Sequence, residues 1–120
     1  MPSRDPAAEV AYFTDVLGAR LVFAIEAMRT RVAMLELSDA PPRLLLADHL
    51  EGERPILLYR VGDLDAAVSD LEARGWEPER RFEIPHGPCC SCRTVGGHRI
   101  AIFELTRPEV EERFAGRRDF

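Results

Sequence analysis

The densest group of reactive side chains in this chain is one short stretch, in which His86 is followed by Cys89, Cys90 and Cys92. Thiolate and imidazole are the usual zinc ligands, so metal binding or thiol chemistry is the first reading to weigh. The spacing argues against zinc. It is not Cys-x-x-Cys, and no second cysteine pair exists elsewhere. On a strand, Cys90 and Cys92 share a face and Cys89 takes the other. Cysteine also serves as a small core hydrophobe, which is the plainer use of three in a row. Of the other imidazoles, His49 and His98 fall in turn-like sequence, whereas His86 precedes Gly-Pro at a strand entry, where it would rim a pocket and could act as a base.

The polar repertoire is narrow. The 120 residues include no Lys, Asn or Gln, and all 16 basic residues are Arg, set against 21 acidic ones for a net charge of −5. Schiff-base and phosphate-loop lysines are excluded, and so are amide oxyanion donors. A polar site must use Arg, Asp, Glu, His, Cys, hydroxyls or backbone. An acidic chain with only the isolated pairs Arg80–Arg81 and Arg117–Arg118 does not suit a nucleic-acid backbone. No apolar run approaches the roughly 20 residues of a membrane span. No secretory leader is visible, and the clustered cysteines fit a reducing cytoplasm. Aromatic groups offer a softer chemistry: Tyr59, Trp76 and Phe103 are of the kind that line ligand pockets, with Arg93 or Arg60 to fix an anion.

These residues have to be positioned by a chain that is built twice. Asp5 to Gly18 resembles Asp63 to Gly75. Each opens on an N-cap Asp and closes on a Gly suited to a left-handed cap. Val10, Phe13 and Leu17 share one helical face, as do Leu64, Ala67, Val68 and Leu71. Three strand-like segments follow each helix: 20–25, 30–37 and 43–48, then 76–82, 88–95 and 98–105. Gly96–Gly97 marks a hairpin. The final segments align so that Asp48 and Glu104 occupy the same place. Residues 55–61 read as a strand before the second helix, whereas only residues 1–4 precede the first. The organisation expected is module one at 1–49, a linker at 50–54, module two at 55–105 and a short helix within 106–116. The class is α+β, two tandem βαβββ modules with the first strand short or missing.

The motifs YFTDVLG at 12–18, VGDLDAA at 61–67 and GHRIAIFE at 97–104 resemble the vicinal oxygen chelate superfamily, which includes glyoxalase I, bleomycin-resistance proteins and extradiol dioxygenases. The resemblance covers about residues 5–107. It implies paired modules curled into a curved mixed-sheet cup, commonly in a homodimer. It also implies divalent-metal ligands on the first and last strands of each module. Glu104 matches the family carboxylate, as ligand and catalytic group, and Asp48 is a shorter counterpart. The other two positions fall near Ile56, which cannot ligate, and before Met1. Two carboxylates fall short of the three protein ligands usual in catalytic sites.

The expectation is therefore a small-molecule binding protein of the glyoxalase/bleomycin-resistance type, needing no cofactor. Its ligand would lie among Tyr59, Trp76, His86, Cys92, Arg93 and Phe103, and Trp76 fluorescence would report it. The competing expectation is a metal-dependent lyase or dioxygenase using Glu104 and Asp48.

Overall fold

The computed structural model describes residues 1–120, and the chain divides into two compact units, 1–54 with 113–120 and 55–112. No helix is long and apolar enough to cross a membrane.

The first unit begins with α1 (Pro6–Ala11), capped by Asp5, whose carboxylate accepts the Ala8 N–H. A π-helical turn, Tyr12–Val16, follows directly. The hydroxyl of Thr14 donates to the Val10 carbonyl at 3.0 Å, and the Leu17 N–H reaches back five residues to Tyr12. A side chain bonding into the preceding turn competes with the backbone ladder and opens it. The wider turn rotates Leu17 off the apolar stripe. Val10 and Phe13 pack on the sheet as expected, but Leu17 is half exposed.

β1 (Arg20–Ala27), β2 (Thr30–Glu36) and β3 (Leu44–Ala47) form an antiparallel sheet in that order. Ala24, Ala33, Leu35 and Leu46 point toward α1 and are completely buried with Val10. The turn joining β1 and β2 places Met28 and Arg29 at positive φ, 49° and 62°. Both outer edges of this sheet are covered. Pro2 makes a parallel bridge to Ala47 beside β3. Beside β1, the Ala24 N–H donates to the Arg117 carbonyl and the Asp119 N–H donates to the Ala24 carbonyl. Phe120 tucks into the core, and Phe114 meets Phe23 with ring centroids 5.6 Å apart.

The second unit repeats the plan in full. It contains β4 (Leu57–Val61), α2 (Leu64–Ala73), β5 (Arg80–Ile84), β6 (Gly87–Arg93) and β7 (Arg99–Glu104), with sheet order β4-β7-β6-β5. β4 runs parallel to β7, pairing Arg60 with Phe103, which is the counterpart of Pro2 on Ala47. Asp63 caps α2 through the Ala66 N–H. Leu64 and Val68 pack on Cys90 and Ile102, and Ala67, Leu71 and Trp76 join them. β5 starts at Arg80 rather than at Trp76. Gly75 (φ +90°) closes the α2 cap, and the Trp76 N–H still donates to the Leu71 carbonyl, so residue 76 belongs to the helix end. α3 (Glu109–Phe114) completes the element order.

Candidate functional site

The packing of α2 settles which way each strand of the second sheet faces. Cys90 and Ile102 lie beneath the helix, so the alternating neighbours Cys89, Ser91, Ala101 and Phe103 take the opposite face. Register carries this outward. Arg80 and Phe82 pair with Ser91 and Cys89, while Leu58 and Arg60 pair with Ala101 and Phe103. Arg93 and Arg99 pair at the far end.

The helix-free face thus has an apolar floor of Ala101, Cys89, Phe82 and Phe103, with arginines on three sides. Ala101 and Cys89 are buried, the two phenylalanines are half-buried, and Arg60, Arg80 and Arg93 are exposed. The Arg80 guanidinium lies 5.9 Å from the Phe82 ring centre. Arg93 pairs with Glu79 at 3.0 Å, whereas Arg60 and Arg80 have no carboxylate partner. A guanidinium fork over an aromatic ring, as Arg80 has over Phe82, can hold a flat anion.

The fourth side is built by the β5–β6 turn. His86 sets its ring edge-on to Phe103, 6.2 Å between centroids, and its Nε2 lies 3.5 Å from Glu111. Its carbonyl accepts the Thr106 and Arg107 N–H groups. Arg107 holds the turn from the other direction, donating to Glu83 and to the carbonyls of Ile84 and Pro85 at 2.7–2.8 Å. Gly87, at φ +152°, is where this crossing is tightest. A Cβ there would stand 2.1 Å from the Glu104 carbonyl.

His86 and Phe103 therefore come together, and Arg93 shares the face of Phe103 but lies at the far end of the strands. Trp76, Cys92 and Tyr59 do not join them. Trp76 is packed into the α2 core, and Cys92 is buried on the α2 side. Tyr59 pairs with Ile102, which also places it on the α2 side, on an edge strand and half exposed. Burial pushes the Cys89 thiol up to about 11 and also raises Cys90, so neither is a ready nucleophile at neutral pH. Arg80 and Arg99 were not among the residues expected at a site; the alternation of Arg80 with Phe82 was the available signal for the first, once the strand start was known.

No protein-family model matches the sequence, and no curated protein matches it. Solved structures do. Methylmalonyl-CoA epimerase from Mycobacterium tuberculosis superposes with a TM-score of 0.72 at 19% identity, covering 88% of this chain and 84% of that one. A second methylmalonyl-CoA epimerase gives 0.67 at 14% identity over 88% and 91% of the two chains. A hypothetical protein from Bacillus halodurans gives 0.72 at 10% over 88% and 90%. The chain has the vicinal oxygen chelate fold.

The metal ion that this fold often carries finds poor accommodation here. Glu104 turns its carboxylate to the start of α2, accepting the Leu64 N–H at 3.1 Å. Asp48 accepts the Arg31 backbone N–H at 3.0 Å, and its other oxygen faces Arg31 Nε at 3.4 Å. Both carboxylates at the vicinal oxygen chelate ligand positions are thus bonded within their own units. No group of three or more His, Cys, Asp or Glu side chains is clustered to hold an ion. The donor set does not fit a catalytic metal.

Proposed function

We propose that the protein binds a small organic anion, an aryl or acyl carboxylate, on the helix-free face of the 55–112 unit and does not transform it. One observation carries this reading: Arg60, Arg80, Arg93 and Arg99 alternate onto a single sheet face around Phe82 and Phe103. Two rings supply apolar area for the ligand body, and forked donors at the rim fix its carboxylate. The one thiol in that floor, Cys89, is held protonated by burial, and the imidazole of His86 at its edge is engaged with Glu111 and the Phe103 ring. The metal-dependent alternative would have only Glu104 and Asp48 to offer, short of the three protein ligands usual in catalytic sites.

The test is titration calorimetry with benzoate-class and medium-chain carboxylates beside their neutral amides. Carboxylates should bind at least tenfold more tightly than amides. Arg60→Met and Arg80→Met should each remove about tenfold, roughly 1.4 kcal/mol, in the range of one charge-assisted hydrogen bond. Equal binding of acid and amide, or affinity indifferent to both substitutions, would sink the proposal. Trp76 fluorescence should stay silent throughout, because the indole sits under α2 on the other face.

We further propose that the partner is a second copy of the chain. β4 is an edge strand whose Leu57, Leu58 and Tyr59 are each about half exposed, at 50%, 48% and 55%. An unpaired apolar edge of this kind favours strand pairing. Sedimentation equilibrium should give a dimer, and Leu58→Arg should shift it to monomer.

A further inference from the structure

Two cross-strand rows run the width of the helix-free face of the 55–112 unit. One is Arg60–Phe103–Cys89–Phe82 and the next is Leu58–Ala101–Ser91–Arg80. Arginine ends each row, but at opposite edges: Arg60 on β4 and Arg80 on β5, the two outer strands of the sheet. No Asp or Glu stands in either row, in a chain with 21 acidic residues against 16 basic ones. Neighbouring arginines are neutralised where they stand. Arg81 meets Asp65, Arg93 meets Glu79 and Arg107 meets Glu83. Arg60 and Arg80 are exposed and have no such carboxylate.

The face therefore holds two uncompensated positive charges, one on either side of an apolar floor. One carboxylate neutralises only one of them. To engage both forks it must draw them together over the floor, ordering two long side chains around a single charge. Two carboxylates meet each fork at its own edge. Arg80 is already set for this, its guanidinium lying over the Phe82 ring at 5.9 Å from the centroid.

The sheet also sets the spacing of the two charges. Three inter-strand steps separate β4 from β5, about 14 Å across the sheet. With each fork above its own strand, a hydrogen bond of ~2.8 Å at either end leaves about 9 Å between the carboxylates. A C–C bond of ~1.5 Å advances an extended chain by roughly 1.3 Å, so about seven such bonds fill the span. That is the length of octanedioate, whose methylenes would cover the apolar residues between the edges. Resting on the anion-binding reading above, we infer that the preferred ligand is a medium-chain α,ω-dicarboxylate laid across the four strands, one end at Arg60 and the other at Arg80.

The test is calorimetric titration of the full chain at constant ionic strength with octanedioate, octanoate, octanamide and butanedioate. Octanedioate should bind about tenfold or more tightly than octanoate, which has its length but one charge, and than butanedioate, which has its charge but not its length. Arg60→Met and Arg80→Met should each bring octanedioate to within about threefold of octanoate measured on the same variant. Arg74→Met, an equal loss of charge at the C-cap of α2, should leave the preference in place. The inference fails if octanoate or butanedioate equals octanedioate on the parent protein, or if Arg74→Met removes the preference as the other two do. Octanoate tighter than octanamide beside such a result would leave anion binding standing and remove only the second charge. Octanoate and octanamide bound alike would remove both.

Discussion

Replacing Gly87 with alanine should be the most damaging single-methyl change in this protein, and the reason can be worked atom by atom. Gly87 opens β6 directly after His86, with φ at +152°, a region reserved almost wholly for glycine. An added Cβ would lie 2.1 Å from the Glu104 carbonyl oxygen, 2.8 Å from Thr106 Oγ1 and 3.1 Å from the Thr106 nitrogen. Two of the three neighbours are backbone, so the chain itself has to move. The dihedral strain is worth about 1–2 kcal/mol. Forcing a methyl into occupied space adds about 1–3 kcal/mol. The hydrogen bonds from Thr106 and Arg107 to the His86 carbonyl lie in the path of that movement. The two terms sum to about 2–5 kcal/mol. At roughly 3–5 °C per kcal/mol for a chain of this size, melting should fall by about 6–25 °C. Gly97→Ala is the matched control. It shares a positive φ, +78°, but its Cβ would meet nothing within 4 Å, so only the strain of about 1–2 kcal/mol applies. Differential scanning calorimetry on both variants checks the reasoning. Equal losses would mean that the crossing at Gly87 is not tight and that the β5–β6 turn is held by something else.

Three further outcomes are expected. Glu104→Ala should cost about 1–2 kcal/mol in urea unfolding, because the α2 amide at Leu64 loses its acceptor, while carboxylate affinity stays within twofold; a large loss of affinity would return Glu104 to the site. Replacing Met28–Arg29 with Asn-Gly should stabilise the protein by about 1–2 kcal/mol, since both positions require positive φ and the hairpin turn is otherwise exposed; no gain would mean the turn geometry differs. Cys89, with its pKa raised to about 11 against 9.0 for a free thiol, keeps its proton in the folded state after the unfolded chain has lost it. Stability should therefore decline as pH rises from 9 towards 11, and Cys89→Ala should flatten that decline; an identical slope in both proteins would contradict the assignment.

Much of this architecture is written locally. Asp5 and Asp63 sit where helices begin, Gly18 and Gly75 where they end, and the equivalence of Leu46 with Ile102 follows from aligning the two halves. What escaped the sequence reading depends on geometry or distance. Thr14 opens a π turn through a bond to Val10 that residue type alone does not announce. Met28 and Arg29 adopt a glycine-like turn without glycine. The pairing of Ala24 with Arg117 and Asp119 joins segments far apart in the chain. The site was hardest for a related reason. Cys89, Cys90 and Cys92 are all buried, so β6 is apolar on both faces and its alternation does not say which side α2 covers. Trp76, expected beside a ligand, packs with the core under α2 instead.

The division of the chain has a consequence for how it is made. Residues 55–112 form a unit from one continuous stretch, but the 1–54 unit takes in residues 113–120 as well. Glu26 donates its N–H to Asp119, 93 residues further on. During synthesis at ~5–20 residues per second, β1 is therefore left with a bare edge for about 5–20 s before its covering segment exists. The earlier-made unit is the later one to be finished. A ribosome that stalls or terminates between residues 55 and 112 releases a chain whose first sheet still presents unpaired amides to its neighbours. The covering of β1 thus waits on residues 113–120, the part of the first unit that is made after the whole of the second.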